Sequence, residues 1–128
     1  MKQGLFEHVN MTVTDADKTA SLLADLFDWK IRWSGDSIHN GRSVHVGTDH
    51  AYVALYAVGE PRKLGAQENY RLAGAVNHLG ILVDELQAAE QRVLSYGIET
   101  HSHQTYEPGS RFYFHDHDGI EYEVVSYA

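Results

Sequence analysis

The sequence predicts an α+β protein made of one βαβββ unit used twice in tandem. Two segments about seventy residues apart, Phe6-Glu7-His8-Val9-Asn10-Met11-Thr12-Val13 and Val76-Asn77-His78-Leu79-Gly80-Ile81-Leu82-Val83, read as matching strands with a histidine near the start of each. Each runs directly into an acidic residue and a helical pattern, Asp15 to Trp29 and Asp84 to Tyr96. Each helical pattern is followed by three strand-like runs. The expected repeats span about 5–58 and 76–127 of a single domain covering 1–128.

From His8 to Val13 polar and apolar residues alternate, so His8, Asn10 and Thr12 share a polar face opposite Val9, Met11 and Val13. Thr14 or Asp15 can cap the first helix, whose Leu22, Leu23, Leu26 and Phe27 form the inward stripe. Asp28 stands where a left-handed residue commonly ends a helix. Strands are expected at Lys30 to Trp33, Arg42 to Gly47 and Ala51 to Val58, with His39 in the hairpin beside Asn40-Gly41. Pro61, Gly65 and several charges mark Gly59 to Gly74 as a surface connection. In the second unit a strand at Val76 to Val83 precedes a helix capped by Asp84, with Leu86, Ala89 and Val93 inward and Gly97 closing it. Strands near Ile98 to His101, Arg111 to His115 and Ile120 to Ser126 complete it. His101 and His103 are expected to flank a lid loop ending at Pro108-Gly109, and His115 and His117 to lie at the surface in a turn.

Composition narrows the partners. A net charge of −8 with ten scattered Lys and Arg argues against nucleic acid and against an anionic membrane, both of which reward clustered cations. No apolar run approaches the roughly 18 residues of a spanning helix, and Met1-Lys2-Gln3-Gly4 opens no secretory signal, so a cytoplasmic protein with a small-molecule partner is expected. Without cysteine, any bound metal must be held by nitrogen and oxygen. A histidine at the same point of both repeats, with Glu123 in the last strand, points to a metal built from two half-sites.

The tandem units, His8-Val9-Asn10-Met11, Asn77-His78-Leu79-Gly80 and the terminal run Phe112-Tyr113-Phe114-His115-Asp116-His117-Asp118-Gly119-Ile120-Glu121-Tyr122-Glu123 resemble the vicinal oxygen chelate superfamily of glyoxalases, extradiol dioxygenases, fosfomycin-resistance enzymes and bleomycin-binding proteins. The resemblance implies open, curved mixed sheets around a cleft, usually completed by a homodimer. It implies His8, His78 and Glu123 as ligands of a divalent ion, with Fe(II) or Mn(II) favoured and Zn, Ni or Co as further candidates. Glu121 lies on the same face as Glu123, and the signature spacing selects Glu123. Tyr113 matches a tyrosine that extradiol enzymes place near the metal, and His45 is a candidate acid or base on a central strand. Asn10, Tyr52, Tyr56 and Arg111 are candidate substrate contacts.

Departures from the family sharpen the expectation. Ala54 stands where glyoxalases and epimerases carry a fourth ligand, and a larger side chain is expected to have room there. His103 and Glu107 occupy places that serve phosphonate binding in fosfomycin-resistance enzymes. The expected function is a divalent-metal-dependent enzyme acting on a small oxygen-rich substrate, closer to extradiol-dioxygenase or lyase chemistry than to a glyoxalase-like isomerase or thiol transferase. The alternative is a metal-free binding protein of the bleomycin-resistance type, holding an aromatic ligand between Tyr52, Tyr56 and Trp33.

Overall fold

A computed structural model describes residues 2–128, and its chain divides into two compact units, one up to residue 62 and one from residue 63. Met1, at which the expected domain begins, lies outside the described residues. The first unit runs β1 (His8–Thr12), α1 (Ala16–Phe27), β2 (Lys30–Ser37), β3 (Gly41–Gly47) and β4 (Tyr52–Ala57). The second runs β5 (Leu79–Leu82), α2 (Leu86–Ser95), β6 (Thr100–Tyr106), β7 (Gly109–His115) and β8 (Glu121–Ser126). Each unit therefore contains the βαβββ order, and each folds into one mixed sheet. The strand orders correspond, β1-β4-β3-β2 and β5-β8-β7-β6, with the first strand parallel to the last and the other pairs antiparallel.

One helix covers one face of each sheet, because alternate strand residues there are apolar. In the first unit Leu23 and Leu26 of α1 are buried together with Val44, Val46, Val53 and Leu55. In the second, Ala89 and Val93 of α2 are buried, as are Phe112, Phe114, Tyr122 and Val124. The opposite face of each sheet carries the polar and aromatic residues that alternate with these.

Helix α1 begins as expected, with extended Asp15 accepting from the Lys18 backbone N–H at 3.0 Å, and ends on Asp28 in the left-handed region at φ 56°. The second helix departs from expectation. Its cap position is Glu85, which makes no side-chain capping bond, rather than Asp84. Asp84 instead offers its carbonyl to the Ser126 hydroxyl at 3.1 Å, tying the start of the helix to β8.

A second correction concerns His101 and His103, which lie within β6 rather than beside a lid loop. The register shifts between His101 and Gln104, and Ser102 takes φ 55°. Such a bulge interrupts period-two alternation, so the strand continues where its sequence pattern breaks. The hairpin at Ile38–Asn40 is as expected, with His39 and Asn40 both at positive φ.

Strand register makes the repeat explicit. In the first unit Asn10 and His45 both lie opposite Ala54, and Trp33 lies opposite His45. In the second, Gly80 and Tyr113 both lie opposite Glu123, and His101 lies opposite Tyr113. Ala54 and Glu123 thus hold the same place in their units, as do His45 and Tyr113, and Trp33 and His101.

Candidate functional site

On the face of the second sheet away from α2, Glu123 gathers three of the expected residues. Its Oε1 lies 3.3 Å from His78 Nε2. Its Oε2 accepts from Arg111 Nη1 at 2.8 Å and from the Tyr113 hydroxyl at 3.1 Å. Alternation along β7 and β8 places Arg111, Tyr113 and Glu123 on this face while Phe112, Tyr122 and Val124 turn to the helix side. His78 sits just before β5, which begins later than expected, and its segment is held by Asn69, whose Nδ2 donates to the carbonyls of Asn77 at 2.9 Å and Val76 at 3.2 Å. Gly80, opposite Glu123, leaves the space beside Oε1 unfilled, since an added Cβ would come no closer to that oxygen than 3.8 Å.

Two atoms of this group, His78 Nδ1 and Arg111 Nε, are buried without a hydrogen-bond partner among the described residues. Buried polar atoms are normally satisfied, so each of these two stands out beside Glu123. The hydrogen bond to Glu123 holds the Arg111 guanidinium above its already high ordinary pKa. Glu123 therefore sits between a cation and an imidazole.

Beside this group lies one that sequence reasoning missed. His101 Nε2 is 3.2 Å from His115 Nδ1, and His115 Nε2 is 3.6 Å from Glu121 Oε2. One ligand atom from each of the three lies within 4.8 Å of the others. The Tyr70 hydroxyl donates to Glu121 Oε1. His115 is exposed as expected, but its partners give it a defined setting. Alternation already placed His115 with Tyr113 and Glu121 with Glu123; the missing signal was β6, whose bulge hid that His101 faces the same way. Burial, and then the nearby Glu123 charge, push the Glu121 carboxyl above its ordinary value. Burial, followed by repulsion from His115, holds His101 below the usual imidazole range. His103 is committed elsewhere, its Nε2 lying 2.6 Å from Glu90 on α2.

The first unit carries the other expected residues on the face of its sheet away from α1. His8, Tyr52, His45 and Trp33 form a row in strand order β1-β4-β3-β2, with successive ring centroids 4.9, 4.6 and 5.0 Å apart. Glu7 braces the row, with Oε1 2.8 Å from His8 Nδ1 and accepting from the Tyr52 hydroxyl at 3.4 Å. Burial, then the neighbouring His8 and Arg32 charges, depress the His45 pKa and favour its neutral form. Asn10 is exposed opposite Ala54. The Tyr56 hydroxyl donates to the Ile38 carbonyl at 2.8 Å, and its ring lies where a Cβ at Gly41 would approach to 2.5 Å. Tyr56 thus closes the hairpin, which only glycine at 41 permits.

Ala54 corrects an expectation. It is 1% exposed rather than bordering open solvent, flanked by Asn10 and His45 across the sheet and by Tyr52 and Tyr56 along β4.

The profile of the Glyoxalase/Bleomycin resistance protein/Dioxygenase superfamily matches residues 5–124. Among solved structures, SMU.1112c aligns with TM-score 0.79 at 16% identity, over 97% of this chain and 99% of that one. A glyoxylase/bleomycin resistance protein/dioxygenase domain from Frankia sp. EAN1pec aligns with TM-score 0.77 at 20% identity, over 98% and 93% of the two chains. The fosfomycin resistance protein FosX from Listeria monocytogenes, in complex with Mn(II) and sulfate, aligns with TM-score 0.72 at 18% identity, also over 98% and 93%. No curated protein matches the chain.

Proposed function

Because the chain belongs to the Glyoxalase/Bleomycin resistance protein/Dioxygenase superfamily, we propose that it is a divalent-metal-dependent enzyme whose ligands are His8, His78 and Glu123. Its substrate is a small, anionic, oxygen-rich molecule that binds through adjacent oxygens. The observation that carries this proposal is the meeting of His78, Arg111 and Tyr113 at the Glu123 carboxylate. An imidazole and a carboxylate 3.3 Å apart suit a first-row divalent ion. Mn(II) in the FosX complex supports a hard-to-borderline ion in this fold.

When bound, such an ion supplies Lewis-acid activation of substrate oxygens. Arg111 anchors substrate charge with a planar guanidinium. Tyr113 donates its phenol hydrogen to a substrate oxygen, a bond it already makes to Glu123 Oε2. His45, kept neutral by burial, accepts a proton at its free imidazole nitrogen. Three protein ligands leave positions open for two substrate oxygens, which favours extradiol-dioxygenase or lyase chemistry over glyoxalase-type isomerisation. Buried Ala54 offers no fourth ligand.

The test is metal analysis of protein purified without a metal-affinity tag, followed by oxygen uptake with catechols. We expect bound Fe or Mn, lost on His78→Asn or Glu123→Gln, and uptake that depends on Tyr113. Metal retained in full by both variants would overturn the ligand assignment. A second reading is a metal-free binding protein, favoured by the ring row His8-Tyr52-His45-Trp33, which offers a flat aromatic platform. Tight binding of a flat aromatic cation by metal-stripped protein, with no turnover in the metal-loaded form, would select it.

A further inference from the structure

We infer that His101, His115 and Glu121 form a second divalent-metal site, separate from the proposed family ligand set, that takes a borderline ion such as Zn(II). Each ligand comes from a different strand, β6, β7 and β8, so hydrogen bonding across one sheet fixes their spacing. One ligand atom from each lies within 4.8 Å of the others, and the two imidazoles approach to 3.2 Å. Around a tetrahedral zinc with bonds of about 2.1 Å, ligand atoms stand about 3.4 Å apart. His115 turns Nδ1 to His101 and Nε2 to Glu121, so a rotation of its ring, 48% exposed, is needed to aim one nitrogen at an ion shared with both.

Charge compensation gives an independent reason. Glu121 and Glu123 are two carboxylates on one sheet face, and buried carboxylates are ordinarily paired with cations or metals. Glu123 has the Arg111 guanidinium at 2.8 Å. Glu121 is 8% exposed, and its nearest basic group is the His115 imidazole at 3.6 Å. A divalent ion between His101, His115 and Glu121 supplies the missing positive charge. Tyr70 occupies Glu121 Oε1 with its hydroxyl hydrogen, which orients the carboxylate and leaves Oε2 toward His115 as the ligand oxygen. Two imidazoles and one carboxylate match borderline ions, and exposure at His115 leaves a coordination position for water or for an incoming donor.

Zn(II) titration of chelator-stripped, tag-free protein tests this, using competition with a chromophoric chelator. The His78→Asn variant removes one proposed family ligand, and we expect it to retain one tight equivalent of Zn(II). Adding His115→Asn to that variant should weaken the remaining binding by at least about a hundredfold, the upper scale seen when even indirect supports of a metal ligand are lost. His101→Asn should act alike. Glu121→Gln preserves shape and repeats the test should an imidazole variant misfold by circular dichroism. Loss of all tight Zn(II) binding in His78→Asn alone, or unchanged binding after His115→Asn and Glu121→Gln, would overturn the site. If instead wild-type binding survives His78→Asn and Glu123→Gln but fails in His115→Asn, this site stands and the proposed family ligand set falls.

Discussion

Asp116 shows how one side chain can organise a turn. Its Oδ1 accepts from the backbone N–H groups of Asp118 at 2.9 Å and Ile120 at 3.0 Å, and its Oδ2 accepts from the Tyr122 hydroxyl at 2.8 Å. Gly119 then turns the chain at φ 82°, a conformation that favours glycine. Tyr122 is fully buried, and burial followed by the Asp116 charge pushes its phenol pKa well above the usual value. Tyr122→Phe keeps the ring but strands a carboxylate oxygen, so it should cost about 1 to 3 kcal/mol in chemical denaturation. Glu121 presents the opposite case. Its carboxyl is raised, so at neutral pH it ionises against its environment and costs stability, a cost relieved as pH falls through its folded pKa. Glu121→Gln should therefore stabilise chelator-stripped protein by about 0.5 to 2 kcal/mol, the range common when a functional strain is removed. A lowered melting temperature without metal would contradict that sign.

The two helices differ in how they begin. Helix α1 has a capping aspartate and α2 has none, since Glu85 at its cap position makes no side-chain bond. Glu85→Ser supplies a short acceptor for an orphan N–H and should raise stability by about 0.5 to 1 kcal/mol in urea unfolding. In the middle of α2, Glu90 joins helix to sheet. It accepts from Thr100 Oγ1 and lies 2.6 Å from His103 Nε2. Burial alone pushes its carboxyl up, yet the bonds from Thr100 and His103 together outweigh burial and leave it below the ordinary value. A carboxyl depressed on folding contributes stability above its unfolded pKa and loses it as pH falls through the folded one. Denaturation profiles of wild type and Glu90→Gln should accordingly converge as the pH drops below the usual carboxylate range, with Glu90→Gln the less stable near neutrality.

At the scale of the whole molecule, each sheet has two outer strands within its own unit, β1 and β2 in the first and β5 and β6 in the second. Ile31 and Trp33 on β2 and Leu82 on β5 remain large exposed apolar side chains on those strands. Outer strands with apolar residues are ordinarily covered. We predict a homodimer, and sedimentation at micromolar concentration should report twice the 14.4 kDa chain mass. A purely monomeric boundary would count against it. No helix among the described residues is long and apolar enough to cross a membrane.

Local pattern determined the elements that depend on neighbours in sequence. Period-two alternation gave β1, β7 and β8, the Leu23 and Leu26 spacing gave α1, and the near repetition of His8 and His78 gave the tandem order. It also placed Arg111, Tyr113 and Glu123 on one face, because adjacent antiparallel strands keep their alternation in step. What tertiary structure alone decided depends on register and on partners far along the chain. The bulge after His101 breaks the alternation that would have marked β6, so only pairing with β7 reveals His101 beside His115. The burial of Ala54, paired with β1 and β3, depends on partners that no local window contains. Asp84 does not cap because the helix begins after Glu85, whose carbonyl accepts from Ala89, while the Asp84 carbonyl accepts from Ser126, forty-two positions away.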